Sequence, residues 1–192
     1  MSRVLPRSFY ARDGRVVAPE LLNKLLVRGD RVARIVEVEA YCGSDDPGSH
    51  AYRGPTPRNA TMFGPPGHLY VYFTYGMHFC ANAVCGDEGT ATAVLLRGLD
   101  VVNGLDEMRV DYPGVRDRDL CRGPARLCRA FGIDRTFDGA DLVTGDLGVT
   151  LADDGTLPPA APGISVRIGL TRGGELPWRF TVPGAAGLSR RS

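Results

Sequence analysis

The order of apolar patterns along the chain predicts an α+β fold: a single compact domain over residues 1–192, with a mixed, mostly antiparallel sheet, a protruding β-hairpin and flanking helices. Strand-like segments come first, helix-like segments follow and strand-like segments return at the end, which argues against repeating βαβ units. A length of 192 residues suits one domain with a real core. The third observation is "GHLYVYFTYGMHFCAN" (67–82), which holds five of the fifteen aromatic residues in sixteen positions. It reads as two aromatic strands joined at Tyr75-Gly76-Met77-His78, with large apolar side chains where a turn normally carries Asn, Asp or Ser.

Taken in order, "PELLNKLLV" (19–27) reads as a short helix, with Pro near its first turn and Leu at helical spacing. "RVARIVEVEAY" (31–41) alternates as a strand, with Val36, Val38 and Ala40 on one face and Glu37, Glu39 and Tyr41 on the other. The Gly/Pro/Ser/Asp-rich stretch 42–67 is too long for an idle connection. The hairpin strands follow near 69–74 and 78–84. "ATAVLLRGLD" (91–100) is a largely buried strand that carries one charge, Arg97. "VNGLDEMRV" (102–110) looks helical, and "LCRGPARLCRAFGI" (120–133) is a helix with Pro124 at its first position and Gly132 as its stop. "DDGTLPPAAPG" (153–163) is a surface loop, and "VRIGLT" (166–171) and "WRFTV" (178–182) are closing strands.

Composition narrows the class. With 43% hydrophobic and 23% charged residues the chain is an ordinary soluble type, and no apolar run approaches the 18 residues of a membrane span. The first fifteen residues lack the apolar core of a secretory signal, so a cytoplasmic location is expected, nucleoid-associated in a bacterium. Five cysteines without C-x2-C spacing and three scattered histidines give no metal pattern, so reduced, buried thiols are expected and neither a metal nor a cofactor. Net charge is only +1, but residues 1–60 carry ten basic against seven acidic side chains and 155–192 five against one. Residues 100–154 reverse this, seven against twelve.

Several residues could carry chemistry. Glu39 and Glu37 share a strand face, and spacing does not choose between them; a solvated Glu is the ordinary occupant of such a position. Arg97, alone on an apolar strand, needs a carboxylate partner, and a Glu–Arg pair can be structural or can hold a water for attack. His50 in its loop, Tyr72 on its strand and Asn82 at the hairpin end each have ordinary explanations. The hairpin tip is different: Tyr and Met presented to solvent need a partner, and insertion between stacked bases is one job that fits, a tip folded under another loop being the alternative. Arg122, Arg126 and Arg129 fall on one side of the third helix, a phosphate site or a solvated basic face.

The stretches "EVEAYCGSDDPGSHAYRGPTPRN", "MFGPPGHLYVYFTYGMHFCAN", "AVLLRGLD" and "DLCRGPARLCRAFGID" together resemble the alkyladenine (3-methyladenine, or methylpurine) DNA glycosylase family, from about residue 8 to residue 182. The C-terminus departs from it: the family usually continues "G-N-P-x-V-S", and this chain reads "GAAGLSRRS". The resemblance implies a monofunctional hydrolase, acting as a monomer, that flips damaged purines out of double-stranded DNA and cleaves the N-glycosidic bond without lyase chemistry. A lesion-binding protein that flips without cutting is the alternative. By the same resemblance Glu39 is the general base and Arg97 helps to hold its water. Tyr41, His50 and Tyr72 sandwich the flipped base, and Asn82 crowds the 2-amino group of normal guanine. Tyr75 fills the vacated duplex step with Met77 beside it, His78 stands at the DNA face where Tyr is frequent, and Arg58 and Arg126 contact DNA.

Overall fold

The computed structural model describes residues 2–189. Nine strands form one curled sheet: β1 (Arg3–Val4), β2 (Leu25–Arg28), β3 (Arg31–Cys42), β4 (Leu69–Thr74), β5 (His78–Cys85), β6 (Thr92–Asn103), β7 (Val149–Asp153), β8 (Gly163–Ser165) and β9 (Arg179–Thr181). Its order is β1-β7-β2-β3-β6-β5-β4, with β9 alongside β3 and β8 alongside β9, and every pairing among the described residues is antiparallel. Helices α1 (Arg7–Tyr10), α2 (Gly14–Leu21), α3 (Leu105–Asp111) and α4 (Pro124–Ala130) flank it. The α+β expectation therefore holds.

The two longest strands organise the rest. β3 pairs with β6 along its length, and its other edge takes β2 beside residues 31–34 and β9 beside residues 37–39. The register between β3 and β6 breaks around Glu37, and neither Val36 nor Arg97 has a Cα partner there. Such irregularities bend a strand and re-aim side chains, and they concentrate beside functional sites. Both faces of β3 from Val36 to Ala40 are buried, so Glu37 and Glu39 are core residues, not the solvated row that alternation allowed.

Several expectations are corrected. The helix expected at 19–27 runs instead from Gly14 to Leu21, with Asp13 accepting the Arg15 amide as its cap and Pro19 inside it, not at its start. Asn23 (φ 68°) reverses the chain, and Leu25 begins β2. The leucines misled because Leu21, Leu22, Leu25 and Leu26 are all buried, and a short run buried all round carries no period. Lys24, expected on a helix, lies in this reversal, buried and ion-paired to Asp153 at 2.8 Å. Residues 102–110 open as the end of β6, and the helix is Leu105–Asp111. The strand expected at 166–171 is irregular; its neighbour Gly163–Ser165 makes the pairing, because Ile168 gives its amide to a carboxylate and Arg167 is drawn into the core. Strands β1 and β7 carry no strong sequence signal and were not expected.

The main core lies between the sheet and α2 and α4, around Tyr10, Leu26, Ile35, Leu96, Leu127 and Phe131. A second small cluster, Ala51, Met62, Tyr70, Val84, Ala91 and Ala93, lies beneath the long segment 42–67. That segment is ordered by two buried polar staples. Asp46 accepts the Gly48 and Cys42 amides and pairs with Arg167. Asn59 donates to the carbonyls of His50 and Gly54 and accepts from Thr56. All five cysteines are free and buried.

Candidate active site

Glu39 is fully buried and each of its oxygens is engaged. Oε1 accepts the Ile168 amide at 2.7 Å, and Oε2 accepts the Tyr41 hydroxyl at 2.9 Å and Arg97 Nη1 at 3.3 Å. Burial pushes its carboxyl up; Arg97, the Ile168 amide and the Tyr41 hydroxyl oppose that, Glu37 adds to it, and the net result lies above the ordinary carboxylate value. Glu37, two residues earlier, is also fully buried, and burial acts on it in the same direction. Here the Ser189 amide, Arg179, the Ser189 hydroxyl and Arg97 outweigh it and hold the carboxyl low. Two neighbouring carboxylates are thus driven apart, the arrangement that separates a proton acceptor from a permanent anion.

Arg97 lies between them, with Nε on Glu37 Oε1 at 3.1 Å and Nη1 on Glu39. Burial disfavours its charge, but the two carboxylates more than compensate and keep it protonated.

Tyr41 forms part of a slot lined by Gly48, His50, Met62, Tyr70, Tyr72, Asn82 and Leu170. His50 meets Tyr72 edge-on at 4.4 Å between centroids, and its Nδ1 lies 3.1 Å from the Tyr70 hydroxyl. Tyr70 and Tyr72 lie side by side at 5.5 Å. Burial, then the charge of Arg58, lowers the His50 pKa, so the ring is neutral at pH 7. Burial keeps the Tyr41 and Tyr72 phenols protonated, and pushes Tyr70 up to about 12. Asn82 is buried at the slot wall, its Nδ2 donating to the Tyr70 carbonyl at 3.1 Å. Six sequence-predicted residues, Glu39, Tyr41, His50, Tyr72, Asn82 and Arg97, therefore converge.

The hairpin tip stands away from this slot. The turn is Thr74–Met77, with the Met77 amide bonded to the Thr74 carbonyl and positive φ at Tyr75 (51°) and Gly76 (68°). Two left-handed central residues match the twist of a tight hairpin, but Tyr is a strained choice for the first. Tyr75 is 83% exposed and Met77 69%, with His78 exposed beside them. Arg58 is exposed at the hairpin, with its guanidinium 5.8 Å over the Tyr72 ring and bonded to the Phe73 carbonyl. The arginines near α4 are less available than their spacing promised. Arg122 pairs with Asp119, Arg126 donates to the Asp119 carbonyl, and Arg129 stacks on Tyr112. Arg129, not Arg126, lines the groove that Met77 and His78 share with α4.

Four contributors went unnoticed in the sequence: Tyr70, Asp46, Asn59 and Arg167. Arg167 is enclosed between Tyr41 and Trp178, 4.6 and 5.1 Å from their ring centroids, and its pairing with buried Asp46 braces Tyr41. The available signal for Arg167 was an arginine set among apolar residues in "VRIGLT", akin to the lone charge that singled out Arg97. A wider hollow elsewhere is lined by Asp30, Asp100, Asp106, Glu107 and Asp117 against Arg109 and Arg118, a net-negative composition that disfavours phosphate.

The methylpurine-DNA glycosylase (MPG) profile matches residues 8–186. A relative in Burkholderia lata is 59% identical over 183 residues, covering 94% of this chain and 88% of its own. One in Streptomyces avermitilis is 49% identical over 185 residues (93% and 87%), and one in Carboxydothermus hydrogenoformans 44% over 197 (98% and 100%). Each carries the provisional name 3-methyladenine DNA glycosylase. A match over nearly the whole chain, on a fold that gathers the residues the motifs singled out, leaves one assignment: the chain belongs to the methylpurine-DNA glycosylase family.

Proposed function

We propose that this protein is a monofunctional DNA glycosylase, active as a monomer, that extrudes alkylated or deaminated purines from duplex DNA and hydrolyses the N-glycosidic bond. The observation that carries this reading is the carboxylate of Glu39, raised in pKa and paired with Arg97 directly behind an aromatic slot. A damaged purine is unreachable inside the stack, so it must leave the duplex, which costs a few kcal/mol. In the slot, Tyr41 and Tyr72 with the neutral His50 ring receive an electron-poor base, and a cationic one gains cation–π attraction. Bond cleavage builds positive charge on the sugar, which the Glu39 anion stabilises while taking a proton from the attacking water. A cationic alkylated purine leaves as a neutral base and needs no acid. Arg58, Arg126 and His78 are the proposed DNA contacts beside the wedge. The expected setting is the cytoplasm, on the nucleoid in a bacterium. Single-turnover release of one defined lesion from a duplex tests the reading; tight lesion binding without release would favour the non-catalytic alternative.

Tyr75→Ala should weaken flipping more than chemistry. The ring restores stacking at the vacated step, worth roughly 1–3 kcal/mol by comparison with other base–aromatic stacks, or about tenfold and upward in the flipping equilibrium. The loss should be largest for a well-paired base and smallest for one opposite a gap, read by fluorescence of a lesion analogue. Equal losses on both duplexes would make Tyr75 a support of the slot. Asn82→Ser should relax discrimination against guanine by opening room for its 2-amino group. Guanine release from undamaged or mismatched duplex is the measurement, and no increase over wild type removes Asn82 from the selectivity account.

Strand cleavage is not expected. The sequence offers two amines, Lys24 and the N-terminus; the N-terminus lies outside the described residues, and Lys24 is buried against Asp153 and the Thr156 carbonyl, where an amine held in an ion pair is not presented to a sugar. Borohydride should trap no adduct, and the abasic product should persist until alkali is added. An adduct that disappears in Lys24→Ala would make the enzyme bifunctional.

A further inference from the structure

Glu37 has no surface in contact with solvent, yet it receives four donors. Its Oε1 accepts Arg97 Nε at 3.1 Å, Arg179 Nε at 2.8 Å and the Ser189 hydroxyl at 2.8 Å, and its Oε2 accepts the Ser189 amide at 2.5 Å. Ser189 Oγ also lies 3.4 Å from Arg97 Nη2, so this one hydroxyl bridges the carboxylate and the guanidinium. The segment that brings Ser189 here is the part of the chain that departs from the usual family sequence. It is seated closely on β6: a Cβ on Gly187 would collide with the Leu99 carbonyl, and a Cβ on Gly98 with the Gly187 carbonyl. Arg122 Nε holds the Leu188 carbonyl at 3.1 Å from the other side. Among the described residues, the segment up to Ser189 lines none of the slot. It packs behind the carboxylates.

A guanidinium given wholly to one carboxylate typically lowers that carboxyl by about 1–3 pH units, which would leave a poor base at neutral pH. Arg97 is not given wholly to Glu39. It turns Nε to Glu37, and only Nη1 reaches Glu39, at the longer distance of 3.3 Å. We propose that Glu37 is a positioning residue that draws Arg97 back from Glu39, and that Ser189 fixes how the guanidinium is divided between the two. This rests on the reading of Glu39 as the base. It gives Ser189 a part in catalysis that acts through Glu37 and Arg97. The other groups facing Glu39 are Tyr41 on its own strand, Arg167 from the 166–170 segment and Cys80 on β5, while Arg179 on β9 faces Glu37. All of these stay in place in the variants below.

The test is single-turnover release of hypoxanthine or 7-methylguanine from a duplex as a function of pH, with lesion-duplex binding measured alongside, for Glu37→Gln, Ser189→Ala, Ser189→Thr and Glu39→Gln in the full chain. Glu37→Gln returns Arg97 to Glu39 and removes a like charge. The acid limb should move down by roughly half to one pH unit and the plateau rate fall about tenfold, with binding little changed. Ser189→Ala removes the bridge and leaves the Glu37 anion to pull harder on Arg97, so the limb should move up, by roughly a few tenths of a unit. Ser189→Thr should restore the wild-type limb. Opposite shifts are what a merely structural role would not produce. Limbs that coincide with wild type, or that move together, overturn the proposal. If Glu37→Gln does not fold, the serine pair decides alone: an unmoved limb in Ser189→Ala overturns it. Wild-type release by Glu39→Gln would instead overturn the assignment of the base.

Discussion

Glu39→Gln should abolish base release, a loss of about 10²–10⁴-fold or more in the single-turnover rate, while lesion-duplex binding stays within roughly tenfold. The amide keeps the shape of the carboxylate: its one oxygen can still accept the Ile168 amide while its NH2 turns to donate to the Tyr41 hydroxyl oxygen, but it takes no proton and offers no charge to the sugar cation. Binding survives because the slot walls and the hairpin tip are untouched. In the wild-type enzyme the rate should rise with pH as Glu39 ionises. Burial, acting against Arg97, raises its pKa, so the rate begins to fall on acidification at a higher pH than for a free carboxylate near 4.3. Below that limb Glu39 is protonated and its base function is lost; above it the anion is fully present. Any residual activity of the Gln variant should lack this limb. Release by the variant at near wild-type rates would transfer the role to Glu37, whose carboxyl is held low by four donors and is a much weaker base.

Asp46→Ala should be the most destabilising of the single changes considered. Asp46 and Arg167 are paired with both side chains fully buried, and Arg167 Nε already lacks a hydrogen-bond partner. Removing the carboxylate leaves an uncompensated guanidinium between Tyr41 and Trp178, at a cost of about 3–5 kcal/mol. For a domain of this size that corresponds to a fall in Tm on the order of 10 °C. The Cys42 and Gly48 amides lose their acceptor as well, so the loop that carries His50 should loosen and base release should drop with stability. Asp46→Ala combined with Arg167→Met should recover part of the Tm, because removing both charges costs less than stranding one. Thermal melts of the two variants beside wild type decide. A single variant within about 2 °C of wild type would mean that the pair contributes no net stability.

Both outcomes turn on residues whose legibility in the sequence was unequal. The hairpin was plain: two aromatic runs around a Gly-containing tip specify their own pairing, and only the turn moved, by one residue, to Thr74–Met77. Pro124 and Gly132 fixed α4 for equally local reasons, since a missing N–H suits a first turn and a positive φ suits an end. The leucines at 21–26 failed because full burial erases the periodicity that separates helix from strand. "VRIGLT" failed because alternation is a necessary condition for a strand and not a sufficient one; its amide and guanidinium were claimed by Glu39 and Asp46.

By itself the sequence determined the α+β class, the exposed Tyr75–Met77 tip, the isolated arginine at 97 and, through its motifs, the family. These are local or compositional properties, set by which side chains tolerate water and which backbone angles each residue allows. Spacing alone could not rank Glu37 and Glu39, which share a strand and a face, and only the resemblance pointed to Glu39; the difference in their carboxyl basicity was not legible. Tertiary structure separated them through donors far along the chain: the Ser189 amide, 152 residues from Glu37, and the Ile168 amide, 129 residues from Glu39. The basicity of a buried carboxylate is the balance between lost hydration and the donors and charges gathered around it, and only the folded chain gathers them.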